Sequence, residues 1–309
     1  MSIRPEFQWA AHLKAKERPL VFGLGEILWD VLPDGPQLGG APANFAYFTQ
    51  MLGADTTLLS CVGRDEWGDA ALRRLGEKGL SLDGVSHNDH HGTGQAWVEL
   101  DAGGVPRYRF LEPAAWDFIT CLPSMAEKLG RADAVCFGTL GQRSEVSRDN
   151  IRRMIFSAAP EAIRFLDLNL RKPFYSSYLI CRSLELANVL KIDEDELGIL
   201  AGMYNFTGTP LDQMRRLRDR LGLRLIALTC GAQGSVLLEG KRVSTQPAVP
   251  VEVVDTIGAG AAFGAAVVMG LLQGMDLDAL HLRAARLAAY VCSRPGATPP
   301  VPPEFRPRP

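Results

Sequence analysis

Short apolar runs alternate with longer amphipathic segments along almost the whole chain, and this alternation restricts the fold more than any other feature. Residues 20–24, 57–62, 134–137, 163–168, 186–192, 225–229 and 235–238 have the length and apolar content of buried strands. Between them, residues 42–52, 67–78, 144–157, 193–201, 211–221, 258–273 and 277–293 carry helical spacing. Strands that alternate with helices in this order predict an α/β fold with a mainly parallel central sheet and helices on both faces. Two stretches depart from the rule. Residues 27–33, and the pair 94–100 with 105–111, read as strands whose turns carry Asp34-Gly35 and Gly103-Gly104, with no helix inside the second pair. They predict a small sheet standing off the main body, the alternative being an edge hairpin of the main sheet.

At 309 residues, 47% apolar and 22% charged, the chain is long enough for one large core. It is expected to form a single domain over 1–309, with the small sheet inserted from about 27–38 and 92–117. The formal charge of −2, without a block of Arg or Lys, excludes a nucleic-acid groove or a membrane-surface patch. Residues 1–18 have no signal-peptide hydrophobic region, and no apolar run reaches membrane-spanning length. The six cysteines show no Cys-x-x-Cys pair and sit mostly in apolar runs such as 134–137, so reduced thiols and a cytoplasmic location are expected. The proline-rich tail 294–309 is expected to run extended over the surface.

The stretch Val254-Asp255-Thr256-Ile257-Gly258-Ala259-Gly260-Ala261-Ala262-Phe263 passes from an extended run through two glycines into an apolar helix. Gly258 and Gly260 allow close backbone approach to a ligand, and the first amides of the helix lack intrahelical partners, so the segment can hold phosphate oxygens. A dinucleotide fingerprint would need Gly or Ala where Phe263 stands. A purely structural turn is the other reading of this segment taken alone. There is no Gly-x4-Gly-Lys-Ser/Thr loop, so phosphoryl transfer would need a different anion site, which this helix supplies.

The segment resembles the signature of the ribokinase-like sugar kinases, or PfkB family, which runs Asp-Thr-x-Gly-Ala-Gly-Asp-x-Phe. One letter differs: Ala261 stands where the family has the Asp that takes the proton from the substrate hydroxyl. Further matches follow in order. Gly25-Glu26-Ile27-Leu28-Trp29-Asp30 and Gly39-Gly40-Ala41-Pro42-Ala43-Asn44 resemble the sugar-binding half, which implies that Asp30 and Asn44 bind sugar hydroxyls and that Gly39 and Gly40 admit the sugar closely. Alone, Asp30 could begin a turn and Asn44 could cap a helix. Gly63-Arg64-Asp65-Glu66-Trp67-Gly68 resembles a second glycine motif and reads as structural, with Asp65 capping the next helix.

Asp167-Leu168-Asn169-Leu170-Arg171 resembles the family's Asp-x-Asn-x-Arg, implying a phosphate clamp at Arg171, against the plainer alternative of a surface ion pair. Lys191-Ile192-Asp193-Glu194-Asp195-Glu196 lies at the family's Asn-x-x-Glu element. The resemblance puts Lys191 at the nucleotide and Glu196 at magnesium waters, while an acidic helix start is the alternative. Thr229-Cys230-Gly231-Ala232-Gln233-Gly234-Ser235 matches the nucleotide loop, with Thr229, Gly231 and Gly234, and with Asp255 and Thr256 of the signature, at phosphates or ribose. Arg294-Pro295-Gly296-Ala297 resembles a segment that in some members helps bind potassium. Ile257 and Pro300 lack the side-chain oxygens such sites use, which leaves potassium open. His87-Asn88-Asp89-His90-His91 has metal-ligand residue types without a distant partner ligand and reads as a solvated loop.

The resemblance implies a ribokinase-like three-layer α/β/α sandwich with a small β-sheet lid, and ATP- and magnesium-dependent phosphorylation of a sugar primary hydroxyl. Gly25–Asp30 and Ala115-Trp116-Asp117 look most like bacterial fructokinases, making D-fructose the first expected substrate, with Gln95 and Trp97 of the lid as sugar contacts. Gly258, Ala259 and Gly260 would stabilise transition-state charge. With Ala261 at the base position this form is expected to be inactive or nearly so. A nucleoside or 2-keto-3-deoxygluconate kinase, and a non-catalytic sugar- or nucleotide-binding protein, are the rival readings. Exposed lid edges favour a homodimer clasped through the lids.

Overall fold

The computed structural model of the protein describes residues 18–32, 35–100 and 106–307. The N-terminal 17 residues, Asp34 of the first expected turn, and the Gly103-Gly104 turn lie outside the described residues. In chain order, β1 (Leu20–Leu24) is followed by the antiparallel pair β2 (Leu28–Leu32) and β3 (Gly35–Gly39), then α1 (Ala41–Met51), β4 (Asp55–Gly63), α2 (Glu66–Glu77) and β5 (Val85–Asn88). A second antiparallel pair, β6 (Gly94–Leu100) and β7 (Pro106–Phe110), precedes α3 (Pro123–Leu129), β8 (Ala134–Phe137), α4 (Glu145–Ser157), β9 (Ile163–Asp167) and α5 (Ser177–Leu186). The remainder is β10 (Val189–Asp193), α6 (Glu194–Tyr204), α7 (Pro210–Leu221), β11 (Leu225–Thr229), β12 (Ser235–Glu239), β13 (Arg242–Gln246), α8 (Ala259–Leu272) and α9 (Leu277–Cys292).

The main sheet has nine strands in the order β13-β12-β11-β10-β9-β8-β1-β4-β5. It is parallel from β11 to β5, with β12 and β13 added antiparallel at one edge. Successive side chains of its strands serve opposite faces, as the strand period requires. Val21, Cys136, Phe165 and Val189 join α1, α2, α8 and α9 in one apolar core. Phe22, Val135, Phe137, Leu166 and Leu190 join α3 to α7 in the other. The protein is therefore the expected α/β/α sandwich, with a second sheet of order β3-β2-β6-β7. Among the described residues no helix is long and apolar enough to cross a membrane.

The strands buried on both faces lie close to their sequence-derived positions, because they read as plain apolar runs. The differences occur where that signal is weak. Residues 186–188 do not open a strand: Leu186 closes α5, a helix capped by the Ser176 side chain, which accepts from the Leu179 amide at 3.2 Å. Edge strands β5 and β13, with sequences VSHN and RVSTQ, are too polar to stand out. The histidine run is not wholly a loop, since His87 and Asn88 end β5. Asp65 is the cap of α2, accepting from the Gly68 amide at 2.7 Å.

Helix α8 has no polar face, and every residue from Ala261 to Leu272 is buried. Such a helix must be enclosed. It packs between α1 and α9, and glycine brings it close to its neighbours. A β-carbon at Gly264 would stand 2.7 Å from the Phe165 ring, and one at Gly270 would stand 2.6 Å from Leu280. Phe165 in turn stacks on Phe45 of α1 at 5.5 Å between ring centroids. Strand order reverses between β1 and β8, so the chain leaves these two strands in opposite directions and opens a crevice at their carboxyl ends.

On the far side of α9, His281 is fully buried between two hydroxyls, with Nε2 2.8 Å from Ser235 Oγ and Nδ1 3.0 Å from Ser244 Oγ. Burial pushes its pKa down to about 4, with Asp278 opposing weakly. The unfolded chain takes up this proton near 6.5 and the folded chain only near 4. This histidine's contribution to stability is thus present above pH 6.5 and lost as pH falls to 4. Chemical denaturation of wild type and His281→Gln across that range should show the wild-type advantage shrinking by on the order of 2 kcal/mol. A constant difference would show that His281 does not titrate between the two states.

Candidate active site

Two cavities open at the carboxyl ends of the strands, on either side of the start of α8. The first, of about 370 Å³, is lined by Glu26, Asp30, Gly40, Asn44, Asp167, Asn169, Arg171 and Lys191, with Thr256, Gly258, Gly260 and Ala261 on its α8 side. The second, of about 620 Å³, lies among Thr229, Gly231, Gly234, Ala259 and the apolar residues Val249, Val251, Val253, Phe263 and Ala289. Thr256 and Gly260 belong to both walls.

The shared wall is built by backbone. Gly258 caps α8 in the left-handed region at φ 85°, and a β-carbon there would overlap the Ala297 backbone. No side chain caps the helix. The Ala259 amide donates to Thr256 O at 3.3 Å and the Ala262 amide to Gly258 O at 2.9 Å, which leaves the Gly260 and Ala261 amides without a backbone partner. Free amides at a helix start attract an anion. Ala261 offers no side-chain oxygen here, but its amide belongs to the same site.

Several polar side chains converge on the first cavity. Among the described residues Asp30 and Asn44 make no side-chain hydrogen bond, although Asn44 is 7% exposed. Asn169 is held at φ 42°, a costly conformation for a residue with a side chain, and its side chain is likewise uncommitted. Groups of this kind are open to hydrogen bonds from whatever fills the cavity, water or ligand. Burial, with a contribution from Asp255, pushes the Asp30 carboxyl up to about 6 against the pull of Arg171. Burial likewise pushes Glu26 up to about 7, against its Ala41 amide bond and Arg171. Glu26 is 2% exposed; Oε1 accepts from Ala41 N at 3.2 Å and Oε2 has no partner.

Lys191 forms a buried pair with Asp167, Nζ to Oδ1 at 2.9 Å, and a β-carbon at Gly260 would stand 3.3 Å from that Nζ. Burial works against the ammonium, but Asp167, Glu196 and Asp193 together hold its pKa above the ordinary lysine value. Lys191, expected at the nucleotide, therefore reaches the shared wall from the first cavity and does not line the second. Thr229, Gly231, Gly234 and Thr256 do line the second cavity. Gly234 sits at φ 95° with the Gln246 carbonyl where its side chain would be.

Other expected site residues have different work. Gly39 gives room for the Asp30 carboxylate rather than touching the cavity itself. Asp255 accepts from the Ile257 amide at 2.8 Å and the Gly296 amide at 3.1 Å, so it ties the turn before α8 to the C-terminal segment. Glu196 accepts from the amides of Leu170 at 2.7 Å and Asp193 at 3.0 Å, closing a capping box, and lines neither cavity.

Gln95 and Trp97 are turned away. Asp30 pairs with Ala96 across β2 and β6, so the neighbours of Ala96 face the other side, where the Arg109 guanidinium lies 4.7 Å over Trp97. The Ala115–Asp117 motif is structural. Asp117 binds Arg143 through both oxygens at 2.8 and 2.7 Å, and Arg143 lies 3.8 Å over Trp116. Sequence reasoning passed over Glu26, Asp167 and Asn169, although each lies inside a motif it had singled out.

The comparisons with known proteins agree with this geometry. The sequence matches the pfkB family carbohydrate kinases over residues 36–304. It is 30% identical to a fructokinase of Klebsiella pneumoniae, over 87% of this chain and 88% of that one. The fold is similar to the crystal structure of an uncharacterized sugar kinase from Pyrococcus horikoshii, with a TM-score of 0.77 and 27% identity over 90% and 93% of the two chains. It also resembles a fructokinase from Xylella fastidiosa with bound ATP, with a TM-score of 0.78 and 22% identity over 91% and 94%. The chain belongs to the pfkB family of carbohydrate kinases.

Proposed function

We propose that the protein transfers the γ-phosphoryl group of ATP to the primary hydroxyl of a neutral sugar, D-fructose first among candidates. The observation that carries this reading is the pair of cavities meeting at Thr256 and Gly260 above the free amides of α8. The apolar second cavity suits a purine, and the first suits a polyol. A phosphoryl group at the shared wall would meet the Gly260 and Ala261 amides and the Lys191 ammonium, which offset charge that develops during transfer.

Among the described residues no group of three or more His, Cys, Asp or Glu side chains could hold a metal ion. Magnesium bound to the triphosphate would neutralise phosphate charge. The residues present fit an outer role only: Glu196, with both oxygens already on amides, would meet the ion's waters through its remaining lone pairs. The β2–β6 sheet, which contributes Asp30 and Leu28 to the cavity, would act as the lid that excludes water.

Ala261 is the reason to expect slow turnover, since it stands where the family's proton acceptor would be. Ala261→Asp should raise kcat by at least about a hundredfold in a coupled ADP-release assay with fructose, with little change in the KM for ATP. Equal rates would remove position 261 from proton transfer.

Asp30 gives a second test. Its carboxyl is raised from 3.8 to about 6, so the ionised form destabilises the ligand-free fold above pH 6 and the penalty disappears below pH 4. Asp30→Asn should therefore be more stable than wild type at pH 8, by roughly 2 kcal/mol, and no more stable at pH 3.5. The same substitution should abolish the rise in melting temperature that fructose produces. A fructose response that survives the substitution would place the sugar elsewhere.

A further inference from the structure

Three carboxyl side chains line the first cavity, and they are not equivalent. Asp30 belongs to β2 of the smaller sheet. Glu26 gives Oε1 to the Ala41 amide and turns Oε2 toward Gly141, where a β-carbon would stand 3.2 Å from it. Asp167 is joined to the wall of α8: Oδ1 accepts from Lys191 Nζ at 2.9 Å, and that same Nζ lies 3.3 Å from where a β-carbon of Gly260 would be. Asp167 is 7% exposed and lines the cavity that Gly260 and Ala261 also line.

We propose that Asp167 is the proton acceptor in this chain, an inference that rests on the kinase reading above. The substrate hydroxyl oxygen forms a bond to the γ-phosphorus of ATP while the bond from that phosphorus to the β–γ bridging oxygen breaks, its electron pair leaving on ADP. The hydroxyl proton passes to Asp167 Oδ2. Lys191 is a positioning residue in this step: it holds Oδ1 and leaves Oδ2 to take the proton. A carboxylate shared with an ammonium is a weaker base than a free one, so this route is slower than one through a carboxylate at position 261. The same pairing explains why a chain with Ala261 can keep its catalytic wall intact: the Asp167–Lys191 pair needs nothing from residue 261.

The test compares wild type, Asp167→Asn, Ala261→Asp and the double variant Asp167→Asn/Ala261→Asp, each assayed for fructose-dependent ADP release and for thermal stabilisation by ATP. Wild type should turn over slowly, and Asp167→Asn should lose at least about a hundredfold in kcat while its thermal response to ATP is kept. The double variant should recover to within about tenfold of Ala261→Asp, because a carboxylate at 261 makes Asp167 dispensable as base. Since Asp167→Asn leaves Lys191 a buried charge without its partner, Asp167→Ser, which keeps Lys191 and leaves room for a water beside its ammonium, should show the same loss in kcat with the thermal response to ATP kept if the first variant does not fold. Wild-type kcat in Asp167→Asn overturns the proposal. So does a wild type that binds ATP and fructose but releases no ADP, or a folded double variant that binds ATP and stays inactive. Failure of wild type to respond to either ATP or fructose overturns the kinase reading itself.

Discussion

Enclosure of α8 is the constraint on which the rest of the site depends. A helix apolar on every side has no stable place except between α1, α9 and the sheet, and Gly264 lets it approach the Phe165 ring closely enough to fill that place. Its axis is thereby set, and with it the position of its first turn. Gly258, in a conformation few other residues adopt, brings the chain to that turn with the Gly260 and Ala261 amides unpaired. An anion site made of backbone in this way is as rigid as the core beneath it, and it survives changes in the side chain at position 261.

The charged groups around this site are organised by what water cannot reach. Asp30 and Glu26 are desolvated, and Arg171 offsets that only in part, so both are shifted toward their neutral forms. Lys191 is equally buried, but Asp167, Glu196 and Asp193 together keep it charged. The cavity therefore has a carboxyl end, near β2, and a cationic end, near α8. A neutral polyol can satisfy the first end with hydroxyls while a phosphoryl group satisfies the second. Asp30, Asn44 and Asn169 turn to this cavity, whereas Glu196, Asp117 and Asp255 are satisfied within the fold.

Much of this is legible in the order of the amino acids. Alternating apolar and amphipathic runs are enough for the α/β class and the parallel sheet, because hydrophobic periodicity is a local property of the chain. The glycine spacing at 258–260 points to an anion site for the same reason. By contrast, the end of α5 and the polar edge strands β5 and β13 carry no distinguishing apolar run, and their positions follow from the strands they extend and the core they cover.

Residue types and their order thus determined the fold class and the glycine turns, since each depends on neighbours a few positions away. Only the tertiary structure decided which polar groups line the cavity. The strand register directs Asp30 into the cavity and Gln95 and Trp97 out of it. Backbone amides far along the chain claim Asp255 and Glu196. Parallel pairing of β9 with β10 sets Lys191 opposite Asp167 and beneath Gly260, a contact among residues up to about 90 positions apart that no local pattern encodes. Burial and pairing are properties of space rather than of sequence distance, and the chemistry of this site is set by them.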